Sequence, residues 1–86
     1  MAETTIVVRY FAGARAAAGV PEEKVALPAG ATVHDALTVI AERHGGELSR
    51  VLRASSFLVD GVAVRDRSIP LSGGSDLDVL PPFAGG

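Results

Sequence analysis

Cysteine is absent from this sequence, which removes disulfides, thiolate zinc sites and a cysteine nucleophile together. A chain without thiols fits a cytoplasmic setting, and that localisation is the expectation. Tryptophan is absent too, and aromatics make up only 5% of residues, so a core must be built mainly from aliphatic side chains. Basic residues form no run. A single lysine, Lys24, stands beside seven scattered arginines, and the net charge is −2, so no nucleic-acid partner is expected. No apolar stretch reaches the roughly 18 residues of a membrane span, and the N-terminus has no signal-type apolar segment, so no membrane partner is expected either. Glycine-rich phosphate loops of the Walker or dinucleotide type do not occur. The two histidines, His34 and His44, lie ten residues apart without metal-ligand spacing; they read as helix-surface residues, and no metal site is expected.

What is present is apolar but small. Hydrophobic residues account for 48% of the 86 positions, and fourteen of them are alanine. That suffices for one domain, residues 1–86, with a single modest core and an extended tail over 81–86. Thr4 to Phe11 is rich in β-branched and aromatic residues and apolar on both faces, which predicts a central strand. Ile6, Val8 and Tyr10 share one of those faces. Ala12 to Ala18 reads as a loop or short helical turn ending at Gly19, and Glu23 to Leu27 as a second strand bounded by Pro21 and Pro28. Thr32 has the character of an N-cap with Asp35 at N3, and Val33, Ala36, Leu37, Ile40 and Ala41 form one helical stripe. The main helix is therefore expected over Val33 to His44, stopped by Gly45-Gly46. Glu47 to Ala54 adds a short second turn with Leu48, Val51 and Leu52 inward. Asp60-Gly61 between Phe57-Leu58-Val59 and Val62-Ala63-Val64 signals a two-residue hairpin. Ser68 to Leu71 is a brief strand or connector with Pro70 at an edge, and Asp76 to Leu80 is the last strand. In that strand Leu77 and Val79 face the helix, the aspartates face water, and Leu80 points to the uncovered face, which Phe11 shares. One main helix covers one face of a mixed sheet, and an apolar patch left on the other usually marks a binding surface.

The end of the chain is its most unusual stretch. Pro81-Pro82 fix an extended, polyproline-like path, and Phe83-Ala84-Gly85-Gly86 follow. A Gly-Gly end has no side chains to shield its carboxylate, so it can thread a narrow channel. Six residues from Pro81 reach roughly 20 Å at about 3.3–3.6 Å each. A glycine pair alone would also end an ordinary frayed terminus, but the aromatic before it suits an anchored probe better. The Gly86 carboxylate is the one exposed group that stands out chemically. It is a poor electrophile until activated, for instance as an acyl-adenylate, and no phosphate cradle occurs here, so a partner would have to supply ATP. Displacement of AMP by a sulfur nucleophile would leave a thiocarboxylate.

Val8-Arg9-Tyr10-Phe11-Ala12 with Arg15 and Gly19, Gly30-Ala31-Thr32-Val33 at the helix start, and Leu80-Pro81-Pro82-Phe83-Ala84-Gly85-Gly86 together resemble the small-subunit family of molybdopterin synthase. These are ubiquitin-like sulfur carriers, and the resemblance covers nearly the whole chain. It departs from the family pattern at Leu58-Val59-Asp60-Gly61 and at Gly74-Ser75-Asp76. The resemblance implies an α+β, β-grasp fold. It implies that an E1-like enzyme adenylates Gly86 with ATP and Mg²⁺, that a sulfurtransferase provides the sulfur, and that this chain binds no cofactor itself. The tail, Pro81 to Gly86, would enter a large catalytic subunit within a heterotetramer and deliver sulfur to cyclic pyranopterin monophosphate. Partner-binding positions carry over to Phe11, Leu80 and Phe83, and also to Ala63. A carrier for thiazole or cysteine synthesis, a protein-modifying tag and an inert interaction module remain alternatives.

Overall fold

The computed structural model describes residues 3–82. Chain order is β1 (Glu3–Tyr10), α1 (Ala12–Ala18), β2 (Glu22–Pro28), α2 (Val33–His44), α3 (Gly46–Ala54), β3 (Ser56–Val59), β4 (Val62–Ala63) and β5 (Asp76–Leu80). The strands form one mixed sheet in the order β2-β1-β5-β3-β4. Only β1 and β5 run parallel; β1–β2, β5–β3 and β3–β4 are antiparallel. The first and last strands therefore lie side by side near the middle of the sheet. Ile6, Val8 and Tyr10 are all fully buried, as the central-strand reading of β1 requires.

Helix α2 begins and ends where the sequence places it. Its N-terminus carries a reciprocal capping box: Asp35 N donates to Thr32 Oγ1 at 3.2 Å, and Thr32 N donates to Asp35 Oδ2 at 2.9 Å. Asp35 is held below the usual carboxylate range by these backbone and hydroxyl bonds at Thr32. Val33, Ala36, Leu37 and Ile40 form the buried stripe. It joins Ile6, Val8, Val25, Leu27, Leu77 and Val79 in one core.

The segment after α2 is more ordered than the short turn expected. Gly45, at φ 90°, does end α2, but Gly46 opens a nine-residue helix, α3, whose Leu48 and Leu52 are buried. Ala12 to Ala18 is likewise a helix, closed by Gly19 at φ 81°. The Asp60-Gly61 turn has φ of 50° and 83°, both positive as a type I′ hairpin demands. Ser68 to Leu71 contributes only an isolated bridge, Pro70 to Thr32. Among the described residues no helix is long and apolar enough to cross a membrane.

The expectation for the aspartates of β5 is overturned at Asp78. Asp78 does not face water: it is 5% exposed, lying on the helix-free face beneath Arg9. The parallel register sets Arg9 beside Asp78, and a bidentate pair follows, Nε to Oδ1 at 2.6 Å and Nη2 to Oδ2 at 2.9 Å. The two-point bond and the aliphatic stem of Arg9 together remove the carboxylate from solvent.

Candidate functional site

The site begins with a property of the strand ends. β1 ends at Tyr10, paired with Val79, and β5 ends one residue later at Leu80; Phe11 N donates to Val79 O at 3.3 Å. Phe11 and Leu80, which follow the last register pair, are therefore neighbours, both half-buried. They line one cavity of about 670 Å³ with Ala12, Gly13, Val51, Ala54, Pro81 and Pro82. Every lining residue is apolar.

This places the sequence-predicted residues unequally. Phe11, Leu80, Pro81 and Pro82 come together in the cleft. They do not form the patch on a helix-free face that strand alternation predicts: the two strands end here, the chain turns into α1, and α1 and α3 wall the cleft. Ala63 does not line it; it is exposed on β4, paired with Leu58 at the sheet edge. Phe83, Ala84, Gly85 and Gly86 lie outside the described residues. The sequence reading missed the helical walls. Ala12 and Gly13 come from the start of α1, and Val51 and Ala54 from α3. The i, i+3 spacing of Val51 and Ala54 was the available signal, although Val51 reads equally well as core. Ala12 has a φ of 49° in the left-handed region, a strained conformation for a residue with a side chain, where the chain swings from β1 into α1.

Polar chemistry lies elsewhere. Tyr10 donates from its hydroxyl to Glu23 Oε2 at 2.5 Å, and Arg43 Nη1 donates to Glu23 Oε1 at 3.1 Å. His44 Nε2 meets the same carboxylate and packs edge-on to the Tyr10 ring, with centroids 5.9 Å apart. His44 is thus engaged by its neighbours, unlike exposed His34. Burial, followed by the bond to Glu23, pushes the Tyr10 hydroxyl far above its ordinary pKa. Burial also works against the Glu23 carboxylate, but the bonds from Tyr10, His44 and Arg43 together hold its pKa below the ordinary value. This cluster ties β1, β2 and α2 to one another and shares no residue with the cleft lining. Among the described residues no group of three or more histidine, aspartate or glutamate side chains is placed to hold a metal ion.

The described site is therefore a greasy seat at the base of the tail, with no acid, base or nucleophile in it. Such a seat can hold a partner surface.

The family model described as ThiS family matches residues 8–86. No curated protein matches the chain. Solved structures do. A protein of Pyrococcus furiosus described as molybdopterin converting factor subunit 1 is 30% identical, covering 93% of this chain and 99% of its own, with a TM-score of 0.80. The crystal structure of the small archaeal modifier protein SAMP1 from Haloferax volcanii is 28% identical over 95% of this chain and 99% of its own, with a TM-score of 0.84. A complex of subunits 1 and 2 of molybdopterin-converting factor from Helicobacter pylori shares the fold at 20% identity, covering 96% of this chain and 100% of that one, with a TM-score of 0.68.

Proposed function

The chain belongs to the ThiS family, and from that footing we propose that it is a sulfur carrier whose working group is the carboxylate of Gly86. The observation that carries the reading is the position of the cleft: strand β5 ends at Leu80 in its wall, and Pro81-Pro82 extend that wall toward the terminal residues. A partner seated on Phe11 and Leu80 would receive the tail at a fixed distance and direction.

In this scheme an E1-like partner brings ATP and Mg²⁺. A Gly86 carboxylate oxygen attacks the α-phosphorus, and pyrophosphate leaves. Hydrosulfide delivered by a sulfurtransferase then attacks the acyl carbon, AMP leaves, and the terminus becomes a thiocarboxylate. The acceptor proposed is cyclic pyranopterin monophosphate, held by a large catalytic subunit of molybdopterin synthase. After sulfur delivery and hydrolysis the carboxylate returns. The chain acts throughout as a reagent; the cleft contributes docking and the tail contributes reach. The 30% identity to the Pyrococcus furiosus subunit supports this acceptor. The Helicobacter pylori neighbour was solved with its subunit 2, and the proposal gives this chain a partner of that kind.

A second reading has its own support in the 28% identity to the small archaeal modifier protein. There the activated terminus would pass to a protein amine instead of taking up sulfur. Deletion of Gly86 tests the first reading. It withdraws the carboxylate by about 3.5 Å, whereas a misplacement of roughly 1 Å can already cost about a hundredfold in rate. With the large subunit and pre-formed thiocarboxylate, the wild type should convert the pterin precursor to molybdopterin and the deletion should not. Near-normal product from the deletion would remove Gly86 from the mechanism. Efficient attachment to lysines without sulfur uptake would favour the modifier reading.

A further inference from the structure

The cleft and the tail leave unexplained a groove of about 240 Å³ between α2 and α3. Leu37 and Leu52, core residues with only 8% and 6% of their surface exposed, form its floor beside half-buried Ala41, with His34, Arg53 and Arg67 around them. No acidic residue lines it, although the protein as a whole carries a net charge of −2. Arg9, Arg43 and Arg50 each have a carboxylate partner; Arg53 and Arg67, like Arg15 and Arg65 away from the groove, make no ion pair among the described residues. The Arg67 guanidinium lies 4.8 Å from the centroid of the Phe57 ring. That cation–π contact orients the charge without neutralising it, and Phe57 is itself fixed in the core. Acids nearby in sequence are committed elsewhere: Asp35 to the Thr32 cap, Asp66 to Ser68, Glu47 to Arg50.

We propose that this groove docks an acidic segment of a protein partner, with an apolar side chain over Leu37 and Leu52 and carboxylates paired to Arg53 and Arg67. Guanidinium groups favour bidentate carboxylate pairing, and charge complementarity steers the encounter. An acidic peptide fits better than a small anion, because the arginines sit on two different elements flanking an apolar surface. Phosphate alone would leave that surface uncovered. The groove and the cleft share no residue. Helix α3 turns Val51 and Ala54 toward one and Leu52 and Arg53 toward the other, so the two sites can be occupied together. The inference goes beyond the proposed function and does not depend on it.

The test uses the full isotope-labelled chain and a fluorescent peptide of glutamates flanking one leucine. Binding should shift the amide signals of Thr38, Ser49, Arg53 and Arg67 and weaken as salt is raised. Arg53→Glu with Arg67→Glu should weaken it by about tenfold or more, the scale of losing charge-assisted pairs, while Lys24→Glu on β2 should change it by less than about twofold. Arg53→Glu alone leaves the Phe57 stack intact and should show the same direction if the double variant unfolds. Absence of binding to the wild type, shifts confined to Phe11 and Leu80, or equal weakening by Lys24→Glu would overturn the proposal. Displacement of the peptide by inorganic phosphate at similar concentration would also overturn it, assigning the groove to small anions.

Discussion

Glu23 shows how much a single carboxylate can organise. It accepts from Tyr10 on β1 and meets Arg43 and His44 on α2, while belonging to β2. Its folded-state pKa lies below the ordinary value of 4.5, so the folded protein holds this proton less tightly than the unfolded chain. The stability it contributes is therefore fully present above pH 4.5 and is lost as the pH falls through the lower, folded value. Glu23→Gln should reduce the melting temperature at neutral pH and flatten its decline on the acid side. Asp35 and Asp66 act in the same direction but are common to both proteins and cancel in the comparison. An acid limb identical to wild type would show that these bonds do not hold the carboxylate. Neither this cluster nor the Arg9–Asp78 pair was legible in the sequence. Strand alternation puts Asp78 on the helix-free face, where exposure is the default. Only the β1–β5 register brings a guanidinium over it.

The elements were far more legible, because periodicity and caps are local. The stripe and the Thr32–Asp35 box define α2, and Asp60-Gly61 defines the hairpin. Helix α3 was underread because a glycine pair looks like one break; Gly45 breaks the chain, whereas Gly46 occupies a helix start, where its flexibility does little harm. Ile40, fully buried at the middle of the α2 stripe, measures that element's hold on the sheet. Ile40→Ala should cost about 2–5 kcal/mol in denaturant unfolding, a large share of a small domain's stability. An unchanged midpoint would mean that α2 packs by another face. Strand β5 is measured at Leu80. It is half-buried at the strand end and outside the core, so Leu80→Asp should fold normally. Against a bound partner, however, its charge would be desolvated without a counter-ion, and pull-down with the large subunit should fail. Retention at the wild-type level would take Leu80 out of the interface.

At the scale of the molecule, the parallel pairing of first and last strands is the decisive feature. It sets β5 between β1 and β3, so the chain leaves the sheet from the interior and not from a loose edge. Phe11, near the start of the sequence, thereby stands beside Leu80, near its end, and α1 and α3 close the cleft around them. Hairpins can be read from a sequence, but the partner of an end strand is chosen by long-range packing, so the cleft's helical walls became visible only in the fold. The scaffold is proposed to present Gly86 for conversion to a thiocarboxylate. The direct measurement is the intact mass of the chain after incubation with an adenylating partner, ATP, Mg²⁺, a sulfurtransferase and sulfide as the sulfur source. The expected result is a gain equal to the replacement of one terminal oxygen by sulfur, dependent on ATP and absent when Gly86 is deleted. An unchanged mass with a partner shown to activate another carrier of this family, or the same gain in the deletion, would contradict it.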